Sequence, residues 1–349
     1  MIPVRRTVLA ALAGAAVAFG LAACGPQKDS GAPPTEITFS ILATENSQAQ
    51  QQNWGPFLAD MEKETGLKIK PYFQSNYTSL IEAMRFRQVD VGWFSNLSGL
   101  EAVRRANGEV FARTTDPSGV DGYYSTILVG ANSGITLERL LRCDRTLTFG
   151  LGDAKSTSGT LAPMTYLFLP RGVDPQKCFK TVRSASHQAN LFSVANGVLD
   201  AGTNNSTALD LVRVNQPELA AKVVEIWRSP VLPEDPIIWR RDLHPSAKEK
   251  IRSFLLTYGT APGAEGDRQR RNLAVLAFGG FRAADNSHLL PVREMEATRA
   301  LIEARTAGDA EGVRKAQAEL AEVARERTAV GGAPAAVPAP APAAAPVKQ

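Results

Sequence analysis

From Glu36 onward, short apolar runs alternate with longer stretches whose apolar residues recur every three or four positions. Residues 37–42 read as a strand, Trp54, Phe57, Leu58 and Met61 as one face of a helix, 67–73 as a strand, 80–86 as a helix and 89–94 as a strand. That rhythm predicts an α/β fold in which each lobe is a mainly parallel sheet flanked by helices. It continues with a helix over 97–107 and strands near 110–114 and 124–129. A second alternating set then runs from Ile135 to Trp227. It holds a helix at 137–141, a strand leading to Asp153, a helix after Thr157, a strand at 180–183, a helix at 188–197, a strand at 199–203 and a helix near 207–214. The segment from Asp235 to Arg240 is extended again and precedes a helix, capped near Ser246, that carries Ile251, Phe254 and Leu255.

This order predicts one lobe interrupted by another: residues 36–129 and 231–330 in lobe 1 with its C-terminal helices, and residues 130–230 in lobe 2. Two crossings, near Val129 and Val231, would act as hinges beside a cleft, and loops at the carboxyl ends of the strands would face it. Residues 295–330 are rich in Ala, Glu and Arg with Leu at helical spacing, which predicts one or two amphipathic surface helices. Residues 331–349 are an Ala/Pro tail with too little to bury, expected to be disordered.

The N-terminus changes the address of the protein. Arg5 and Arg6 precede an apolar stretch from Val8 to Leu21 that is too short to span a bilayer as a mature helix, so residues 1–23 read as a secretory signal. It ends in Leu21-Ala22-Ala23-Cys24, which resembles the lipobox of bacterial lipoproteins. Cleavage there would leave Cys24 as a lipidated first residue and 24–35 as a polar linker, with the membrane engaged through lipid only. The formal charge of +4 falls to +2 when the two arginines leave, and the remaining basic residues are scattered among acids, which excludes a nucleic-acid surface. Export also places Cys143 and Cys178 in an oxidising compartment, where a disulfide and a pair of buried thiols both remain open. No metal or cofactor is expected: His187, His244 and His288 have no ligand-like spacing with the cysteines.

The candidate chemistry lies in Asp153-Ala154-Lys155-Ser156-Thr157-Ser158-Gly159-Thr160, a hydroxyl-rich loop between an expected strand and helix. The first turn of a helix has unpaired N–H groups and the positive end of its dipole, so a Ser/Thr cluster there suits a tetrahedral oxyanion, although such residues also serve as ordinary caps. His187 stands at the same topological point of the next unit. A serine (Ser156 or Ser158), His187 and Asp235 also admit a hydrolase reading, but no Gly-x-Ser-x-Gly elbow is present.

Asn53-Trp54-Gly55-Pro56-Phe57, Val89-Asp90-Val91-Gly92-Trp93-Phe94-Ser95-Asn96, Gly152-Asp153-Ala154-Lys155-Ser156-Thr157-Ser158-Gly159, Val194-Ala195-Asn196, Thr203-Asn204-Asn205 and Asp235-Pro236-Ile237-Ile238-Trp239-Arg240 together resemble the periplasmic phosphonate-binding proteins of ABC importers. The resemblance runs from about Phe39 to Phe281 and implies the two-lobed type II solute-binding fold, no enzymatic activity, a phosphonate ligand and an ABC permease as partner. It implies that Ser156, Thr157, Ser158 and His187 hold the phosphonate oxygens and that the phenol of Tyr77 closes over the same group. Tyr123 and Asp235 would stand at the ligand's other end, Asp235 facing an ammonium in members that take aminoethylphosphonate. Those members have a second carboxylate where Thr207 stands here, a change that favours an alkylphosphonate, a hydroxylated phosphonate or phosphite. A receptor of the same fold for phosphite or phosphate is the alternative.

Overall fold

The computed structural model of the chain describes residues 31–331. The expected signal segment, Cys24, linker residues 24–30 and tail residues 332–349 lie outside them. In chain order the strands are β1 (Glu36–Ile41), β2 (Lys68–Phe73), β3 (Val91–Trp93), β4 (Gly108–Thr115), β5 (Ser125–Gly130), β6 (Thr148–Leu151), β7 (Thr181–Ser184), β8 (Ala201–Asn205), β9 (Val223–Arg228), β10 (Pro236–Arg240) and β11 (Gly280–Ala283). They form a six-stranded sheet in the order β11-β4-β10-β3-β1-β2 and a five-stranded sheet in the order β7-β6-β8-β5-β9.

The architecture is the two-lobed one, and within it the sheets are mixed instead of mainly parallel. β1 runs parallel to β2 and β3, and β6 runs parallel to β7 and β8. β10 and β5, each arriving from the other lobe, insert antiparallel to both of their neighbours, and β11 pairs antiparallel to β4. Strand-helix-strand units lay strands down in one direction, whereas a strand that enters across a hinge carries no such constraint.

The first crossing is also displaced from the expected position. The strand expected to end lobe 1 at Val129 is β5, which pairs with β8 and β9 and so belongs to lobe 2. The crossing lies instead at Tyr123, whose N–H donates to the Leu232 carbonyl (3.0 Å) while the Leu232 N–H donates back to the Tyr123 carbonyl (2.7 Å). The two crossing segments are thus clasped at one residue pair. Gly122 permits this: its φ of 140° is unfavourable for an L side chain, and a Cβ there would stand 2.4 Å from the Leu232 carbonyl oxygen.

The central strands of each sheet are buried on both faces. Ile37, Phe39 and Ile41 pack with Trp54, Phe57 and Met61 of helix Ser47–Thr65 and Phe254 of helix Pro245–Thr257. The other face is closed by Leu80 and Met84 of helix Tyr77–Arg85 and Leu97 and Leu100 of helix Asn96–Arg105. In lobe 2 the period-two alternation of β5 sends Ile127 and Val129 toward Phe149, Phe168 and Phe179, and Leu128 toward Leu191 and Leu209. Full burial of such a side chain contributes about 1.5–3 kcal/mol, so these clusters outweigh helix propensity in holding the layers together. Cys143 and Cys178 are joined by a disulfide (S–S 2.08 Å) beside the parallel neighbours β6 and β7.

The amphipathic C-terminal region is two helices, Leu290–Ala307 and Ala310–Ala329, separated by Gly308 at φ 70° and restarted by Asp309, whose carboxylate accepts from the Gly312 N–H. Arg293 links them through Glu319 (2.9 Å) and Glu326 (2.7 Å). Helix Ala264–Val275 and β11, which periodicity did not reveal, complete lobe 1. No helix among the described residues is long and apolar enough to cross a membrane.

Candidate functional site

Six helices begin at the gap between the sheets. Their N-caps are Asn46, Asn76, Ser95, Ser156, Ser186 and Asn205, each accepting from the backbone N–H three residues on. Caps or first-turn residues of all six line one cavity of about 390 Å³: Ala49, Tyr77, Ser95, Ser158, His187 and Thr207 among them. Six dipole ends aimed into one space bias it toward a negatively charged guest.

The hydroxyl-rich loop follows β6 and crosses itself. The Gly152 N–H donates to the Gly159 carbonyl (2.9 Å), and a Cβ on Gly152 would lie 2.6 Å from the Gly159 Cα, so only glycines permit the approach. Ser156 then caps a π-helical turn, Thr157–Leu161, its Oγ accepting from the Gly159 N–H at 2.9 Å. The N–H groups of Thr157 and Ser158 head this turn and have no intrahelical acceptor. The Ser158 hydroxyl lies 3.3 Å from Nε2 of His187 and accepts from Nδ2 of Asn205 at 3.4 Å. Burial pushes the His187 imidazole down to about 4, so the ring is neutral at pH 7.

The phenols of Tyr77 and Tyr123 stand between the serines and an acid. Tyr77 is fixed by its backbone N–H, which donates to the Asp153 carboxylate (3.2 Å), and Tyr123 donates its O–H to Oδ1 of Asp235 (3.3 Å). Burial first, and then the charge of Asp235, drive both phenols upward; hydrogen bonds with Ser156 and Ser158 respectively oppose this. Asp235 Oδ1 also accepts from Asn96 Nδ2 at 3.3 Å. Its carboxyl is held well above the usual range, first by burial and then by the neighbouring Glu234. Beyond it the cavity wall is aromatic: Trp54, Trp93 and Phe278 line the space with ring centroids 5.4–5.8 Å apart.

Of the residues expected from sequence, Tyr77, Tyr123, Ser156, Ser158, His187, Thr207 and Asp235 all line this cavity, although the chain spreads them over nearly 160 positions. Thr157 is the departure. Its hydroxyl accepts from the Leu97 N–H (2.8 Å) at the head of helix Asn96–Arg105, so it ties the loop to lobe 1 instead of facing the gap. The expectation missed Glu234, Ser95, Asn205 and Trp93. Glu234-Asp235 is a pair of adjacent acids immediately before a proline strand, which is a visible signal; Trp93 and Asn205 lay inside quoted motifs but had no chemical pattern of their own. Among the described residues no group of three or more His, Cys, Asp or Glu could hold a metal.

A family model described as the periplasmic substrate-binding protein of phosphonate ABC transporters matches residues 39–289. The phosphonates-binding periplasmic protein of Escherichia coli (strain K12) is 40% identical over 260 residues, 74% of this chain and 75% of that relative. The solved binding component of an ABC phosphonate transporter from Pseudomonas aeruginosa is 37% identical, with a TM-score of 0.81 over 86% of this chain and 100% of the other. A protein from Prochlorococcus marinus, solved with methylphosphonate, shares the fold at a TM-score of 0.66 and 21% identity, over 79% and 99% of the two chains. An anion cavity ringed by helix N-termini between two lobes, and a family match spanning both lobes, lead to one conclusion: the chain belongs to the phosphonate-binding periplasmic components of ABC transporters.

Proposed function

We propose that this protein captures an organophosphonate between its lobes, with the head group on Ser156, Ser158, His187 and Tyr77 and the tail against Tyr123, Thr207 and Asp235. The observation that carries the reading is the convergence of those residues on one cavity at six helix N-termini. A fully ionised phosphonate offers only acceptors, and the hydroxyls, the loop N–H groups and the dipole ends all suit it. Thr157 contributes its backbone N–H to the head and its hydroxyl to the contact with lobe 1.

The crossings clasped at Tyr123 and Leu232 serve as the hinge, and closure presents the loaded lobes to the ABC permease. The protein works in the periplasm, or on the outer face of the cell membrane, tethered by lipid on Cys24; the support for that anchor is the apolar signal ending in Leu21-Ala22-Ala23-Cys24. It performs no reaction. Nδ1 of His187 is buried with no hydrogen-bond partner, so the Ser158–His187 pair has no carboxylate to orient it as a nucleophile's base.

Isothermal titration of the purified protein with methylphosphonate, 2-aminoethylphosphonate, phosphite and phosphate tests this reading. We expect micromolar or tighter binding of at least one phosphonate and its recovery unchanged by phosphorus NMR. Tighter binding of phosphate or phosphite than of every phosphonate would assign the site to the inorganic anion, and a hydrolysed ligand would return the serine to catalysis.

A further inference from the structure

Outside the head-group loop and the two crossings, the lobes also meet through one glutamine. Gln188 is the second residue of helix His187–Ala195 in lobe 2, and its side-chain oxygen Oε1 accepts from both the backbone N–H and Nδ2 of Asn46 in lobe 1, each at 3.0 Å. Its own backbone N–H donates to the Thr44 carbonyl at 3.2 Å. Asn46 is the N-cap of helix Ser47–Thr65, so two helix starts face each other here. Both present N–H groups that find no acceptor within a first turn, and two dipole ends of the same sign gain nothing from each other directly. The glutamine oxygen and the Thr44 carbonyl supply the acceptors this meeting needs. Each half of the contact is fixed within its own lobe. In lobe 1, Oδ1 of Asn46 accepts from the Ala49 N–H (3.0 Å), and the Thr44 N–H donates to the Leu42 carbonyl (2.8 Å). In lobe 2, Oγ of Ser186 accepts from the Ala189 N–H (3.2 Å), and Nδ2 of Asn204 donates to the His187 carbonyl (3.0 Å). Little backbone freedom is left to lose when the two halves join.

We propose that Gln188 is a positioning residue, a latch that holds lobe 1 against the start of helix His187–Ala195 and slows release of the anion that His187 engages. The inference rests on the phosphonate reading and deepens it, because it assigns retention to a residue outside the head and tail contacts. His187 and Gln188 are consecutive, yet the His187 ring lies 3.3 Å from the Ser158 hydroxyl while the Gln188 side chain reaches Asn46. A head group seated against His187 therefore steadies the same turn from which Gln188 grips lobe 1. The lobes cannot part here without breaking three hydrogen bonds together. Thr44 and Gln188 both line the cavity, so the latch stands at its border. The ion pair of Lys155 with Glu101 (3.4 Å) also spans the lobes, but its charges are partly exposed and are screened by salt. The latch uses neutral groups only, and its effect is the same at low and high ionic strength.

Stopped-flow fluorescence of Trp54 and Trp93, both of which border the cavity, reads association and release of methylphosphonate and 2-aminoethylphosphonate. Gln188→Met keeps the length of the side chain and removes the acceptor. It should speed release of both ligands about tenfold, the loss expected for two neutral hydrogen bonds, and leave association within about threefold, because the latch forms after the guest has entered. Asn46→Ser keeps an N-cap oxygen and removes the Nδ2 donor. It should speed release about threefold, and the double variant should release no faster than Gln188→Met, because both changes act on one contact. Effects that multiply in the double variant, factors that differ between the two ligands, or lower stability in denaturant with unchanged release would each overturn the latch. Should Gln188→Met fail to fold, Asn46→Ser decides, and an unchanged release rate in it overturns the proposal. A wild type that binds neither phosphonate overturns the phosphonate reading and leaves the latch to small-angle X-ray scattering of the ligand-free protein. Gln188→Met should then enlarge the radius of gyration, and an unchanged radius overturns the latch as well.

Discussion

At the scale of single residues the cavity is unusual in placing acids inside an anion site. Asp235 and Glu234 are tolerated because burial holds both carboxyls above their ordinary range, so an empty cleft carries less negative charge than its composition suggests. This has a sign for stability. Glu234 titrates near 7 when folded and near the ordinary glutamate value of 4.5 when unfolded. Its contribution is therefore fully present below pH 4.5 and is lost as pH rises through 7, a loss of about 3 kcal/mol. Glu234→Gln should accordingly raise the melting temperature of the empty protein at pH 8 and change it little at pH 5, as scanning calorimetry at the two pH values would read. Thr207 is half-buried in the first turn of helix Ser206–Asn215, on the opposite lobe from Glu234. Thr207→Glu should strengthen binding of an amine-bearing phosphonate by about tenfold, about 1.4 kcal/mol, and weaken that of an alkylphosphonate. If neither affinity moves in a titration, position 207 does not face the tail.

At the scale of elements, the loop after β6 does two tasks with adjacent residues. Ser156 and Ser158 turn toward the cavity, while the Thr157 hydroxyl, the Asp153 carboxylate and the Lys155 carbonyl bond to Leu97, Tyr77 and Ser95 in lobe 1. Leu161 and Ala162 of the following turns are buried in the lobe 1 cluster with Leu97 and Met295. The loop is thus a contact between lobes as well as a cradle. Removing one of its cross-lobe hydrogen bonds weakens this arrangement of the lobes by about 1 kcal/mol, whatever the ligand. Thr157→Val should therefore weaken every phosphonate alike, by roughly fivefold, and lower the melting temperature of the ligand-free protein, in which the Thr157 hydroxyl already accepts from the Leu97 N–H. A ligand-dependent loss would show instead that the hydroxyl touches the guest. The loop was legible in the sequence because three successive hydroxyls at a strand end form a local pattern, whereas the direction in which each points is set by the helix turn and by lobe 1.

At the scale of the whole molecule, two crossings and the helix Leu290–Ala307 connect the lobes, the latter packing Val292 and Met295 beside Leu161. Gly122 is the tightest point of the hinge, so Gly122→Ala should break the Tyr123–Leu232 pair. About 1–3 kcal/mol of stability should be lost in denaturant unfolding, and phosphonate affinity should fall even though residue 122 touches no ligand. Unchanged affinity would place the hinge elsewhere. The sequence by itself determined the alternation of strands and helices, the interruption of one lobe by another, and the hydroxyl-rich loop and the histidine as candidate positions, because these depend on short-range periodicity and on motifs of contiguous residues; Tyr77 and Tyr123 came only from the family resemblance. Only the tertiary structure decided that β5 belongs to lobe 2, that β5 and β10 run against their neighbours, that Thr157 binds lobe 1, and that Glu234 stands beside Asp235 with one oxygen unpaired. Each of these is a pairing across the fold. Sheet membership, strand direction and the partner of a buried polar atom are set by which distant segments pack together, and no local pattern of hydrophobic and polar positions encodes that choice.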